Sequence, residues 1–91
     1  HIILMLPPDC FPGKKGEVAF NISRDVIKKE IVPFIRDYAR ENQIPLVDLH
    51  TLTEGHPEWF ADGVHPNKRG NIQIAKAVYQ LLTQLDDEEN K

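Results

Sequence analysis

The chain has 91 residues, a net charge of -3 and 41% hydrophobic residues, which is ordinary for one small globular domain. Acidic side chains slightly outnumber basic ones, so the composition does not predict the basic protein surface that binds a phosphate backbone. We therefore expect no nucleic acid partner. The longest apolar run, residues 2–6, is far shorter than the roughly 20 residues that cross a bilayer, and we expect no membrane partner. The single cysteine, Cys10, excludes an internal disulfide and a multi-cysteine zinc site.

The first residues predict a buried strand. Ile2 to Leu6 is an apolar run that ends at Pro7-Pro8, and its length favours a strand over a helix. The chain opens at His1 without an initiator Met or a basic leader, and a strand apolar on both faces needs neighbours. We therefore expect further strands upstream, and self-association through the exposed sheet edge where they are absent.

A helix is predicted next, after an exposed loop that is rich in proline and glycine over residues 7–16. Apolar residues recur at helical spacing over residues 23–41, with Ser23 as the expected N-cap and Asp25 in the first turn. Pro33 lies inside this helix and removes one backbone donor, so we expect a kink near residues 29–33.

A second strand, a long loop and a second helix complete the prediction. Residues 44–50 are mostly apolar and predict a strand, and a helix between two buried strands is a parallel crossover unit. The loop over residues 51–67 is unusually long, and such loops are often functional. Asn67 is the expected N-cap of an amphipathic helix that ends near Leu85, and residues 86–91 read as a frayed acidic tail. The predicted fold class is α/β.

Asp62 and His65 are the residues whose spacing carries chemistry. An Asp three residues before a His can fold back so that its carboxylate accepts from His Nδ1, which leaves Nε2 as a general base. Gly63 permits the tight turn and Pro66 restricts His65. Ligand sites of open α/β sheets gather at the edge where this loop begins. An equally simple interpretation is a capped turn without catalytic function.

Other residues of the loop also have both a functional and a structural interpretation. Trp59 and Phe60 could wall a sugar pocket, although packing of the loop onto the domain is at least as good an interpretation. Imidazole and carboxylate groups can bind zinc, but their spacings match no helix-based motif, and we expect no metal and no cofactor. These imidazole and carboxylate groups belong to His50, His56, Glu58, Asp62 and His65.

The stretch Asp62-Gly63-Val64-His65-Pro66-Asn67, followed by Gly70 and an apolar helix, resembles the last block of the SGNH (GDSL-type) hydrolase family. Residues 44–60 resemble in particular its carbohydrate and sialate O-acetylesterase members. The resemblance covers the C-terminal half of such an enzyme and implies part of a three-layer α/β/α sandwich with parallel strands. It implies that Asp62 and His65 complete a Ser-His-Asp triad, that the substrate is an acylated carbohydrate or another small ester, and that the enzyme is secreted or periplasmic.

The nucleophile block of the family, a Gly-Asp-Ser-like turn, is absent, and so are its oxyanion-hole Gly and Asn. Ser23 is the only serine and lies at a helix start rather than at a strand-to-helix elbow. Nothing in the sequence around Cys10 lowers its pKa. We therefore predict the C-terminal catalytic segment of a serine esterase that is inactive alone. The alternative is a non-catalytic α/β domain that binds a partner through its sheet edge.

Overall fold

A computed structural model describes residues 1–89 of the chain. Two short strands, β1 (Leu4–Leu6) and β2 (Leu46–Asp48), form a two-stranded parallel sheet within this part of the chain. Leu4 lies opposite Leu46, and Leu6 lies opposite Asp48. Both helical and strand elements are therefore present in the α/β arrangement that we predicted, with the strands parallel and joined by a helical connection.

The helical connection starts where the sequence predicts and departs from α geometry just before Pro33. It consists of α1 (Arg24–Val26), a π-helical segment (Ile27–Ile31) and α2 (Val32–Glu41). The Ser23 side chain accepts a hydrogen bond from the Val26 N–H at 3.2 Å, which confirms the predicted N-cap. The Val32 N–H donates to the Ile27 carbonyl, five residues back, so the wide turn lies in the region where we expected Pro33 to disturb the helix.

Both strands are shorter than predicted, and the prediction that His50 ends β2 is wrong. The sheet pairing begins only at Leu4, and Ile2 is 67% exposed. After β2 the chain enters α3 (Leu49–Thr53), because the Asp48 carboxylate accepts from the Thr51 N–H at 2.9 Å and caps the helix. His50 is therefore a helical residue at the carboxyl end of β2. A 3-10 turn, Pro57–Trp59, follows in the loop.

The last helix, α4 (Lys68–Glu89), is longer than predicted. The Asn67 side chain accepts from the Gly70 N–H at 3.0 Å, which confirms Asn67 as its N-cap. The helix continues through residues 86–89, which we expected to be frayed, because these residues include no proline or glycine that would end it. Residues 90–91 of the predicted tail lie outside the described part. No helix within residues 1–89 combines the length and apolarity needed to span a bilayer.

Two groups of buried apolar residues support the sheet and the loops. Leu6, Val47 and Val32 bury the junction of the sheet with the crossover helix. The second group packs the two loops that follow β1 and β2 against each other; it contains Phe11, Trp59 and Phe60, with Leu52 against them. Both groups are apolar, and Phe11 of the second group contacts Gly63 in the turn that contains Asp62 and His65. Burial of this kind is the main source of stability in a small domain.

Candidate active site

Asp62 and His65 are joined by the contact that their spacing predicts. His65 Nδ1 lies 2.6 Å from Asp62 Oδ2. The other carboxylate oxygen, Oδ1, accepts from the backbone N–H groups of Val64 at 2.9 Å and His65 at 2.6 Å. Asp62 is thus held at both oxygens, so the carboxylate has one orientation toward the imidazole.

These donors keep the Asp62 carboxylate ionised. The His65 backbone N–H contributes most to lowering the pKa of Asp62, followed by the His65 side chain and the Val64 N–H. Together they hold this pKa far below its ordinary value, although the group is exposed. A carboxylate that stays charged at neutral pH beside Nδ1 orients the ring and stabilises the imidazolium form.

His65 presents its other nitrogen to solvent. Its side chain is 64% exposed, and Nε2 has no hydrogen-bond partner among residues 1–89. Because Nδ1 faces Asp62, Nε2 on the far side of the ring is available to a substrate or a nucleophile. This is the geometry that a general base requires.

The turn is fixed to the rest of the domain by backbone contacts on both sides. The Ala61 N–H donates to the His65 carbonyl at 2.9 Å, which closes the turn. The Phe11 N–H donates to the Gly63 carbonyl at 2.9 Å, which ties the turn to the loop after β1. Gly63 has a φ of 86°, in the left-handed region, and a Cβ at this position would lie 2.1 Å from the Phe11 carbonyl oxygen. Glycine is therefore required here for two separate reasons.

The N-cap of α4 holds the other end of the turn. The Asn67 N–H donates to the Trp59 carbonyl at 2.8 Å, and the Asn67 side-chain amide donates to the Glu58 carbonyl at 2.7 Å. Gly70 lets the helix approach this loop, because a Cβ there would lie 2.3 Å from the Trp59 carbonyl oxygen. The close approach at Gly70 is thus made to the loop. These contacts hold the N-cap of α4 two residues after His65.

A second His–carboxylate pair lies on the same loop and was not predicted as a pair. His56 Nδ1 lies 2.9 Å from Glu58 Oε2, and the His56 ring stacks on Trp59 with centroids 3.8 Å apart. The pair lowers the pKa of Glu58, with the hydrogen bond from His56 as its largest cause. Its imidazole face is covered by Trp59, unlike that of His65, so stacking is an evident structural role for His56.

The remaining residues of the loop have structural surroundings. Trp59 and Phe60 are 9% and 7% exposed, which supports packing rather than a sugar-binding wall. His50 is buried, and its Nδ1 has no hydrogen-bond partner in the described residues. Within residues 1–89, no three or more histidine, cysteine or acidic side chains come close enough together to hold a metal ion.

Ser23 and Cys10 have surroundings that do not suit a nucleophile. Ser23 caps the crossover helix through its hydroxyl group. Cys10 is 3% exposed, and burial, followed by the nearby Asp9 carboxylate, raises the pKa of its thiol. A buried thiol with a raised pKa is a poor nucleophile. Neither side chain forms a hydrogen bond with His65.

Comparison with known proteins agrees with the resemblance noted in the sequence. An acetylxylan esterase of Xylanibacter ruminicola is 30% identical over 70 residues, which cover 76% of this chain but only 15% of that protein. The chain thus spans much less than two thirds of that relative. No solved structure matches the present chain. The family described as GDSL-like Lipase/Acylhydrolase matches residues 1–78, which include Asp62 and His65. The chain therefore belongs to the GDSL-like lipase/acylhydrolase family.

Proposed function

We propose that this chain supplies the histidine and the aspartate of a Ser-His-Asp triad in an enzyme that hydrolyses carboxylic esters. The observation that carries the proposal is the contact between His65 Nδ1 and Asp62 Oδ2 at 2.6 Å, with Nε2 exposed on the opposite side of the ring. Membership of an acylhydrolase family supports the same reaction class.

In this reaction His65 accepts and passes on one proton in each of two half-reactions. Nε2 accepts the proton of the serine hydroxyl as the serine oxygen attacks the acyl carbon, and it then gives that proton to the alcohol as the ester C–O bond breaks. In the second half, Nε2 accepts a proton from water as the water oxygen attacks the acyl carbon, and it gives that proton to the serine oxygen as the acyl–serine bond breaks and the acid leaves. Asp62 keeps Nδ1 protonated and stabilises the imidazolium in both halves, and it is not itself protonated.

We further propose that the nucleophilic serine and the oxyanion-hole donors lie outside these 91 residues, so that the chain alone is inactive. Ser23 is the only serine in the chain, and it caps a helix. Each missing oxyanion donor would be worth on the order of 3 kcal/mol of transition-state stabilisation. A fluorophosphonate probe applied to the full-length protein should label a serine outside residues 1–91, and labelling of Ser23 would contradict this division.

The proposed substrate is a carbohydrate that carries an acyl ester, with acetyl as the favoured acyl group. The named activity of the relative, an acetylxylan esterase, supports this choice. The carboxyl end of β2 leads through α3 into the loop with Asp62 and His65, and in α/β folds ligands bind beyond this end of the strands. An acetylated xylo-oligosaccharide is therefore the first substrate to assay.

The test compares two histidines of one loop in the full-length protein. His65→Ala should lower kcat/KM for the acetylated substrate by a factor on the order of 10⁴. His56→Ala is the matched control, because it also removes a histidine that is paired with a carboxylate, and it should retain most of the activity. Retained activity in His65→Ala, or an equal loss in His56→Ala, would contradict the assignment.

A second candidate function rests on the apolar residues near β1. Met5 on β1 is 52% exposed, and Phe34 and Tyr38 of α2 are 71% and 50% exposed beside it. Such a patch favours contact with another protein segment or with a second copy through the open sheet edge. If the chain were a non-catalytic binding domain, light scattering would show self-association that Met5→Lys abolishes, and the full-length protein would have no esterase activity that depends on His65.

A further inference from the structure

Phe20 holds an exposed aromatic ring against the imidazole of His65. The two rings meet edge to face, with centroids 5.4 Å apart and planes inclined by 88°. Phe20 is nevertheless 70% exposed, so the contact with His65 leaves most of its surface open. No sequence pattern marks Phe20, which lies 45 positions before His65.

The backbone at Phe20 is in an unfavourable conformation. Phe20 has a φ of 62°, and Asn21, which follows it, has a φ of 55°. A left-handed conformation costs a bulky residue about 1 to 2 kcal/mol. Burial does not offset this cost, because the ring remains largely in water. Conformations of this kind cluster at binding and catalytic sites.

Phe20 also lines a hollow that reaches the candidate catalytic pair. The hollow has a volume of about 350 Å³ and is lined by residues of the loop that precedes the crossover helix and by Asp62. Lys14, Lys15 and Glu17 line the same hollow, so its wall carries both N–H donors and a carboxylate acceptor. An apolar ring face with polar groups around it is how sites for small polar ligands are commonly built.

We propose that Phe20 is a specificity-determining residue that binds the sugar ring of the substrate next to the ester attacked at His65. This inference rests on the proposed function and assigns it a carbohydrate subsite. The C–H groups on one face of a pyranose pack against an aromatic ring, while its hydroxyl groups accept hydrogen bonds from cations such as Lys14 and Lys15. Trp59 and Phe60, the aromatic residues that the sequence offered for this role, are buried.

A purely structural role for Phe20 makes a different prediction. If its ring only positioned His65, its loss would slow the hydrolysis of every ester, because the proton transfer would be affected whatever the alcohol. If the ring binds the sugar, its loss raises KM for carbohydrate esters alone. The comparison of a sugar ester with an ester that has no sugar therefore separates the two roles.

The experiment measures kcat and KM of the full-length protein with an acetylated xylo-oligosaccharide and with 4-nitrophenyl acetate. Phe20→Gly removes the ring and relieves the left-handed strain, so it should fold at least as well as the parent. We expect about a tenfold loss of kcat/KM on the sugar ester, mainly through KM, and a much smaller loss on 4-nitrophenyl acetate. Phe20→Tyr should restore the parent behaviour, since it keeps the aromatic face.

Tyr79→Leu is the matched control, because Tyr79 is as exposed as Phe20, at 70%, and lies on α4. It should leave both substrates unaffected. An equal loss on both esters in Phe20→Gly, or no loss on either, would overturn the sugar subsite while leaving the triad proposal intact. Failure of the triad proposal has a separate signature, which is 4-nitrophenyl acetate activity that persists in His65→Ala.

Discussion

The Phe11 N–H donates to the Gly63 carbonyl at 2.9 Å, and the Phe11 carbonyl oxygen occupies the space where a Gly63 side chain would begin. The loop after β1 thereby fixes the turn that contains Asp62 and His65. Two loops that are far apart in sequence form one structural unit around the candidate active site. The stability of that unit and the geometry of the pair should consequently change together.

Gly63→Ala should destabilise the protein and lower its activity. The substitution adds left-handed strain and a clash with the Phe11 carbonyl, and we expect a loss of about 3 kcal/mol in the free energy of unfolding. Gly16→Ala is the control, because Gly16 has a φ of 79° but no atom within 4 Å of the added Cβ. It should lose only about 1 kcal/mol. Equal losses in urea-induced unfolding would show that the contact with Phe11 adds nothing.

Gly70→Ala should destabilise the protein although Gly70 lies in a helix. Replacing a helical glycine by alanine ordinarily adds about 1 kcal/mol to the stability. Here the new Cβ would lie 2.3 Å from the Trp59 carbonyl oxygen, so the helix must move away from the loop. We expect a net loss of about 1 kcal/mol or more. Asn71→Ala, at an exposed position of the same helix, should give a small gain; a gain in Gly70→Ala as well would refute the close packing.

Arg24→Ala should destabilise the protein most strongly near neutral pH. The Arg24 guanidinium donates to both oxygens of the buried Asp9 carboxylate, at 3.0 and 2.8 Å. Burial acts to raise the pKa of Asp9, but the hydrogen bonds from Arg24 and the Cys10 N–H outweigh it and the pKa is lowered. Because Arg24 is 43% exposed, we expect a loss of about 2 kcal/mol, below the range for fully buried pairs.

The pH dependence of that loss follows from the lowered pKa. A carboxyl group whose pKa is depressed by folding adds stability above its unfolded pKa of about 3.9, and this stability disappears as the pH falls through the folded value. The difference between the parent and Arg24→Ala should accordingly shrink between pH 7 and pH 3. Arg40→Ala, which removes an exposed pair with Asp37, should change stability little at either pH. A difference that grows on acidification would contradict the account.

The Asp62 carboxyl should titrate below its ordinary pKa even without the His65 side chain. The largest contribution comes from the His65 backbone N–H, which His65→Ala retains, together with that of Val64. Carbon-13 NMR of the Asp62 carboxyl should show a lowered pKa in the parent and a smaller lowering in His65→Ala. By the same linkage, the stability from this group is present above about pH 3.9 and is lost toward lower pH. A return to the ordinary value in the variant would show that the turn contributes nothing.

The sequence was sufficient to predict the α/β class, the parallel strands, both helix N-caps and the contact between Asp62 and His65. All of these depend on short-range patterns: strand and helix periodicity, capping side chains, and an Asp-Gly-x-His-Pro turn. The prediction of a strand through His50 failed because the Asp48 cap ends the strand two residues earlier and starts a helix at Leu49. That cap was visible in the sequence as an Asp followed by Thr51 three positions later, and it outweighed the apolar pattern.

The contacts that the sequence did not predict join residues far apart in the chain. The bond between Phe11 and Gly63, the Asp9–Arg24 ion pair and the ring contact of Phe20 with His65 all depend on how the loop after β1 folds back. No local pattern specifies such a path. Phenylalanine rarely adopts a left-handed backbone conformation, so the sequence does not predict the positive φ of Phe20.

Asp62 acts through His65 in the proposed mechanism. A double-mutant cycle on kcat/KM tests this coupling most directly. In the full-length protein, Asp62→Ala and His65→Ala are each measured alone and together on an acetylated xylo-oligosaccharide. Members of a catalytic unit are strongly non-additive, so the double variant should be no slower than His65→Ala alone. If the two losses instead multiply in the double variant, Asp62 and His65 act independently and do not form one catalytic pair.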